Sequence, residues 1–376
     1  MTSHERLYRT LHHEPVDHVL DREFRYWQEI PGLWQREGFP PGLVTDRQIE
    51  LYFGLASQYR IPVRFEEMPL FQTTEIEIRD GYRYYYDEDH VICRVRNDGL
   101  TTMPEYLEYP LTSRRDWEYV LKPRYDPDIP GRIPEDLAAR VRDALEKDYY
   151  LRFYIGSLFG RLRNYTGFEQ ICYLIYDDPG LVDEIIQYMA DTICEVLERC
   201  LPLLPCRTLI ADFWEDICFN TGPMVSPAWF SKHVVPRYRQ VVSVLNAHGI
   251  DTVFVDCDGR IGPIVDCWMD AGIRVMFPLE RASGSDPVVL RRTYGPGLLL
   301  MGGVDKRAIA CGGDAIVREL EYLASLVEEG GYIPHCDHLC PSDVSLENYR
   351  FYLGKKRELF GLPRREERIR LHPCEL

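Results

Sequence analysis

The chain has 376 residues, a formal net charge of -16, 45% hydrophobic and 28% charged residues, which is ample material for a large core and excludes a disordered chain. That charge argues against a nucleic-acid surface, which needs clustered Lys and Arg, and against an anionic membrane face. No stretch of about 20 apolar residues and no N-terminal apolar h-region is present, so cytoplasmic residence is the expectation, with the twelve scattered cysteines mostly reduced.

In chain order, Ser3 to His12 predicts a short helix with a Ser cap, ended by Pro15. Val16 to Leu20 predicts a strand that runs on into Asp-Arg-Glu-Phe-Arg-Tyr-Trp27, the profile of a strand whose far end opens on a pocket. A second strand is expected near Tyr59 to Phe65. Thr73 to Asp98 alternates apolar and polar residues in three runs, an antiparallel meander inserted at about 71–98, with Asp80-Gly81 supplying the positive φ of its first turn.

From Asp148 onward strands and helices alternate. Strands are predicted at Tyr150 to Ile155, Arg207 to Phe213, and 252–255, 273–277, 298–301 and 331–334, with helices between and after them, among them Pro227 to His248 capped by Ser226. Alternation at this spacing calls for a parallel sheet. Counted with the two earlier segments it gives eight strands, a (β/α)8 TIM barrel over residues 1–360 with a polar tail at 361–376. No GxGxxG or GxxxxGK[ST] supports a nucleotide fold.

Barrel chemistry gathers where strands end. Those ends carry Arg22, Glu23 and Arg25; Arg161 and Arg163; Asp212, Trp214, Glu215 and Asp216; Asp256, Cys257 and Asp258; Glu280; and His335 to His338. Residues i and i+2 of an extended segment point the same way, so Asp256 and Asp258 can share a cavity while Cys257 turns aside. With an imidazole from the last strand they offer three points for a divalent metal. Asp-x-Asp-Gly is equally a common turn, and a soft site of Cys257, Cys336 and Cys340 is the competing metal reading.

The blocks GSLFGRLRNYTGFEQICYLIYDDPGLVDEI, SPAWFSKHVVPRYRQVVSVLNAHGI, VDCDG, AGIRVMFPLE, GGVDKRAI and GGYIPHCDHLCPSDVSLENY make the chain from about Gly156 to Phe360 similar to the uroporphyrinogen decarboxylase superfamily, a single-domain barrel that includes cobalamin-dependent methyltransferases. The resemblance is nearer the methyltransferases. The Arg-Gln-Ala-Gly-Arg motif of true decarboxylases is replaced here by Arg22-Glu-Phe-Arg-Tyr-Trp, and their Asp motif is missing, although His338 keeps the family's spacing to Asn348. Where the methyltransferases hold zinc with His-x-Cys-Gly and a late Cys, this chain has Asp256, Asp258 and His338.

The resemblance therefore implies a metal-assisted methyltransferase, with a divalent metal, zinc first among the candidates, on Asp256, Asp258, His338 and Glu280. Glu215 or Asp216, with His338, would be the catalytic groups; Arg22, Arg25, Arg161 and Trp214 would bind substrate. A corrinoid carried by a partner protein and a methylated small molecule are the expected partners, and a homo-oligomer is compatible with the sequence. The alternatives are a decarboxylase of uroporphyrinogen or a related poly-acid, and a non-catalytic corrinoid- or tetrapyrrole-binding protein.

Overall fold

The computed structural model describes residues 1–98, 103–206, 208–364 and 367. Thirteen strands occur among them: β1 (Gln58–Arg60), β2 (Thr74–Arg79), β3 (Tyr82–Tyr86), β4 (Ile92–Arg96), β5 (Glu105–Glu108), β6 (Tyr150–Tyr154), β7 (Ile210–Trp214), the small pair β8 (Cys218–Phe219) and β9 (Gly222–Pro223), β10 (Thr252–Asp256), β11 (Val275–Phe277), β12 (Leu299–Met301) and β13 (Tyr332–Ile333). Seven of them form one curled parallel sheet in the order β1-β6-β7-β10-β11-β12-β13. Apolar runs such as Val253, Phe254 and Val255 are buried on both sides, as expected where helices cover a parallel sheet.

The predicted eighth strand at Val16 to Leu20 is not a strand, and among the described residues the parallel ladder does not close into a full barrel. The extended stretch just after it occupies the gap instead. Asp21 O accepts from Ala56 N at 2.8 Å beside β1, and Cys340 N donates to Arg25 O at 2.9 Å beyond β13. Side chains add to these backbone bonds and to an isolated parallel bridge between Tyr26 and Cys340. Lys356, fully buried on the helix Leu346–Leu359, places Nζ 2.6 Å from Glu23 and 3.1 Å from Asp21, and Arg357 adds a 2.8 Å contact to Asp21. With period-two alternation, Asp21 and Glu23 meet that helix while Arg22 and Phe24 turn toward the sheet.

Other boundaries moved for local reasons. The first helix is Ser3–Leu11, capped by Thr2, whose hydroxyl accepts from Glu5 N, and not by Ser3, whose hydroxyl goes to Asp148. The predicted helix Pro227 to His248 is two, Pro227–His233 and Val235–Ala247, because Pro236 has no N–H to continue the first. Ser226 caps the first of these as expected. The predicted strand from Arg207 begins outside the described residues and is seen as β7. The meander has a fourth strand, β5, so its antiparallel order is β2-β3-β4-β5. Both residues of its first turn, Asp80 and Gly81, have positive φ, 53° and 79°, the requirement of a type I′ hairpin. Most of the predicted tail at 361–376 lies outside the described residues.

Lys356→Met keeps the bulk of this side chain but leaves Glu23 buried without a cation. A loss of about 3–5 kcal/mol is expected, measured as a lower urea midpoint; an unchanged midpoint would show that the ion cluster does not hold the segment.

Candidate functional site

A cavity of about 980 Å³ opens at the C-terminal ends of the parallel strands, and the segment between β1 and β2 and the β3–β4 turn wall it on one side. Its floor is built on three neighbouring strands. Arg152 of β6 sits between Asp212 of β7, 2.9 Å away and fully buried, and Asp256 at the end of β10, 3.4 Å away. The pairing register places Asp212 beside Tyr154 and Phe254, so the three charges form a row across the sheet. Rings of Phe254 and Phe277 lie 5.2 and 5.9 Å from the guanidinium.

One cation cannot neutralise two buried carboxylates. Burial pushes the Asp256 carboxyl up to about 7; Arg152 opposes the shift, while Asp258 and Asp212 add to it. Burial likewise raises Asp212 against the pull of Arg152. Of the two, Asp256 is the member facing the cavity.

The second feature is His338, whose Nε2 lies 3.1 Å from Asp258 Oδ2. Burial disfavours the imidazolium, but the hydrogen bond and charge of Asp258 outweigh it and raise the pKa. Phe24 meets the ring edge-on at 5.9 Å. Gly259 lets this turn form. Its φ is +80°, and a Cβ there would lie 2.7 Å from the Cys218 carbonyl oxygen.

Of the residues expected from the sequence, Arg25, Arg161, Trp214, Asp256, Asp258 and His338 line this cavity. Four do not. Glu215 is fully buried, accepts from the backbone N–H groups of Leu158 and Gly160 (2.5 Å for Gly160), and so anchors the start of the helix Phe159–Thr166; burial raises it to about 7, but it faces protein. Asp216 is tied to Arg163 at 2.9 Å. Arg22 lies below the floor, over the rings of Tyr150 and Phe277. Glu280 accepts from Lys306 and Gly259 N, each at 3.0 Å.

In this arrangement the expected ligands have protein partners. Asp256 faces Arg152 and Glu280 faces Lys306, which leaves Asp258 and His338, bonded to each other. Among the described residues no three His, Cys, Asp or Glu side chains are grouped to hold one ion. The expected ligand set does not fit a metal in this arrangement, and no chemical step is assigned to one.

The sequence profile of the uroporphyrinogen decarboxylase (URO-D) family matches residues 102–358, more than half of the chain. The chain belongs to the uroporphyrinogen decarboxylase family. Among solved structures it is similar in fold to a methyltransferase from Methanosarcina mazei, with 16% identity and a TM-score of 0.59 over 96% of this chain and 99% of that one. No curated protein matches the sequence.

Several residues of this family member's cavity were not singled out from the sequence. Arg60 pairs with Glu66 at 2.8 Å and stacks over Tyr154 at 4.1 Å. Glu67, almost fully buried, accepts from Tyr165 at 2.7 Å. Asp89, carried by the β3–β4 turn, is held by Arg161 and by Asn164 at 2.7 Å, so the meander supplies part of the wall. Arg152 had a readable signal, a lone charge inside the apolar run YLRFY, just as Asp212, already named among the strand ends, is the lone charge inside IADFW.

The raised carboxyl of Asp256 sets a pH dependence. An unfolded Asp releases its proton near 3.9, whereas folded Asp256 holds it to about 7. Between those values only the folded state keeps the proton, so stability falls as pH rises across this window. Asp256→Asn should remove that part of the slope and be more stable than the parent at pH 8, by on the order of 3 kcal/mol. Denaturation at pH 4, 6 and 8 checks this. Glu50 and Glu215, both also raised to about 7, contribute a slope of the same sign to both proteins.

Proposed function

We propose that this chain is a methyltransferase of the uroporphyrinogen decarboxylase family that takes a methyl group from a small polar donor in the cavity and delivers it to a corrinoid carried by a partner protein. The feature that carries the reading is the position of Asp256 on the floor of a polar cavity, 3.4 Å from Arg152, where burial raises its carboxyl to about 7. The fold likeness to a methyltransferase supports the choice of branch. On this reading the curled sheet is the family's eight-stave barrel, with the stretch around 19–26 as the eighth stave.

The chemistry follows from the charge count. As the methyl carbon leaves its heteroatom, the bonding pair stays on the heteroatom, which needs a proton; Asp256 supplies it and becomes a carboxylate facing Arg152. The acceptor provides the electron pair for the new bond to the methyl carbon. His338, hydrogen-bonded to Asp258, holds the donor by hydrogen bonding, and Trp214 and Phe24 give it apolar walls. General acid catalysis of this kind contributes about 10²- to 10⁴-fold.

Decarboxylation of uroporphyrinogen fits less well. The cavity is lined by seven carboxylates, and four of its five guanidiniums, those of Arg25, Arg60, Arg152 and Arg161, are already paired with protein carboxylates, a poor host for a substrate with eight carboxylates.

The test uses reduced free cobalamin with a panel of methyl ethers, methylated amines and thioethers, read by the visible spectrum of the methylated product, beside an incubation with uroporphyrinogen read by mass. Methyl transfer that falls at least about 10²-fold in Asp256→Asn is expected. Loss of carbon dioxide from uroporphyrinogen without methyl transfer would overturn the reading.

A further inference from the structure

Below the floor lies a second, smaller space, lined by Arg22, Gln58, Tyr150 and Arg152 with apolar residues that include Phe254 and Phe277. Gln58 and Arg152 also line the large cavity above, so the two spaces share a wall. About 10 Å³ of the lower one is open to the centre of a water-sized sphere, which is room for one such guest.

Three polar atoms of this lining are buried without a hydrogen-bond partner: Arg22 Nε, Tyr150 Oη and Gln58 Oε1. Arg22 and Tyr150 are each 3% exposed. Leaving such groups unsatisfied costs about 1–3 kcal/mol each, so the lining selects a guest that satisfies them together. Arg22 Nε–H and the Tyr150 hydroxyl can donate, and Gln58 Oε1 can only accept. A monatomic anion would suit the first two and be repelled by the third. A metal cation would be repelled by the guanidiniums of Arg22 and Arg152. Water accepts two hydrogen bonds and donates one here, the usual three of an internal water.

We propose that the chamber beneath the cavity floor is a binding site for one ordered water molecule held by Arg22, Tyr150 and Gln58. That water gives Arg22 Nε a polar partner, while the guanidinium itself lies over the Tyr150 and Phe277 rings and interacts with the Tyr150 side chain. It also fixes the Gln58 side chain from behind, on the wall that faces substrate. This site explains why Arg22, expected from the sequence to hold an anionic substrate group, is polar yet out of the cavity's reach. The inference stands independently of the methyl-transfer reading.

Diffraction at about 1.5 Å from crystals of the unmodified protein grown or soaked with bromide tests it. The expected result is a full-occupancy peak within about 3.2 Å of Arg22 Nε, Tyr150 Oη and the Gln58 amide oxygen, without anomalous signal. An anomalous bromide peak would make the site an anion site and overturn the proposal, as would a chamber without density. Tyr150→Phe and Gln58→Leu each remove one partner and should reduce the peak to less than half occupancy; full occupancy retained in both would equally overturn it.

Discussion

Arg152 set between two carboxylates is the constraint on which the site depends. Each of the three ions loses several kcal/mol of hydration on entering the sheet, and one guanidinium can compensate for one carboxylate but not for two. Burial therefore raises both carboxyls, Asp256 to about 7. Asp212, fully buried and 2.9 Å from Arg152, is the partner the cation cannot give up. Asp256, at 3.4 Å and 14% exposed, is the one that can exchange its proton with whatever fills the cavity. A structural ion pair and a chemical proton donor are thus two ends of one row, and the register between β6, β7 and β10 keeps them aligned.

The rest of the cavity follows from fixing that row. Glu215 ties the first turn of the helix Phe159–Thr166 to the end of β7, which places Arg161 on the wall. Arg161 and Asn164 then hold Asp89 and bring the meander's β3–β4 turn to the mouth. On the opposite side, the buried cluster of Lys356, Arg357, Asp21 and Glu23 holds the N-terminal segment in the gap of the sheet, which turns Phe24 toward His338 and Arg22 into the space beneath the floor. Ion pairs with low exposure, rather than backbone pairing alone, position the side chains that line the substrate space.

The parallel sheet was legible from strand and helix alternation, and the meander from its period of two and the Asp80-Gly81 turn. The eighth strand was misread because Val16 to Leu20 is apolar enough for a strand, while its neighbours Asp21 and Glu23 spend their charges on the last helix and leave no regular ladder. Asp256, Asp258 and His338 were legible because they close apolar strands. Their role was not, since a carboxylate beside an arginine and one beside an imidazole look alike in sequence. Glu215 and Asp216 follow β7 as any catalytic pair would, but only packing shows that Glu215 faces a helix N-terminus and Asp216 faces Arg163. Arg152 was overlooked although a charge inside YLRFY, like Asp212 inside IADFW, has few reasons to be there except a partner on the next strand.

The central claim is that the cavity floor carries an exchangeable proton on Asp256 near neutral pH. Carbon-13 NMR of protein labelled at the Asp carboxyl carbons, titrated from pH 4 to 9 beside Asp256→Asn, measures it directly. The account predicts one carboxyl resonance, absent from the variant, that titrates near pH 7. If the resonance lost in the variant titrates below about pH 5 instead, as an unperturbed Asp would, Arg152 neutralises both carboxylates and the floor has no proton to give.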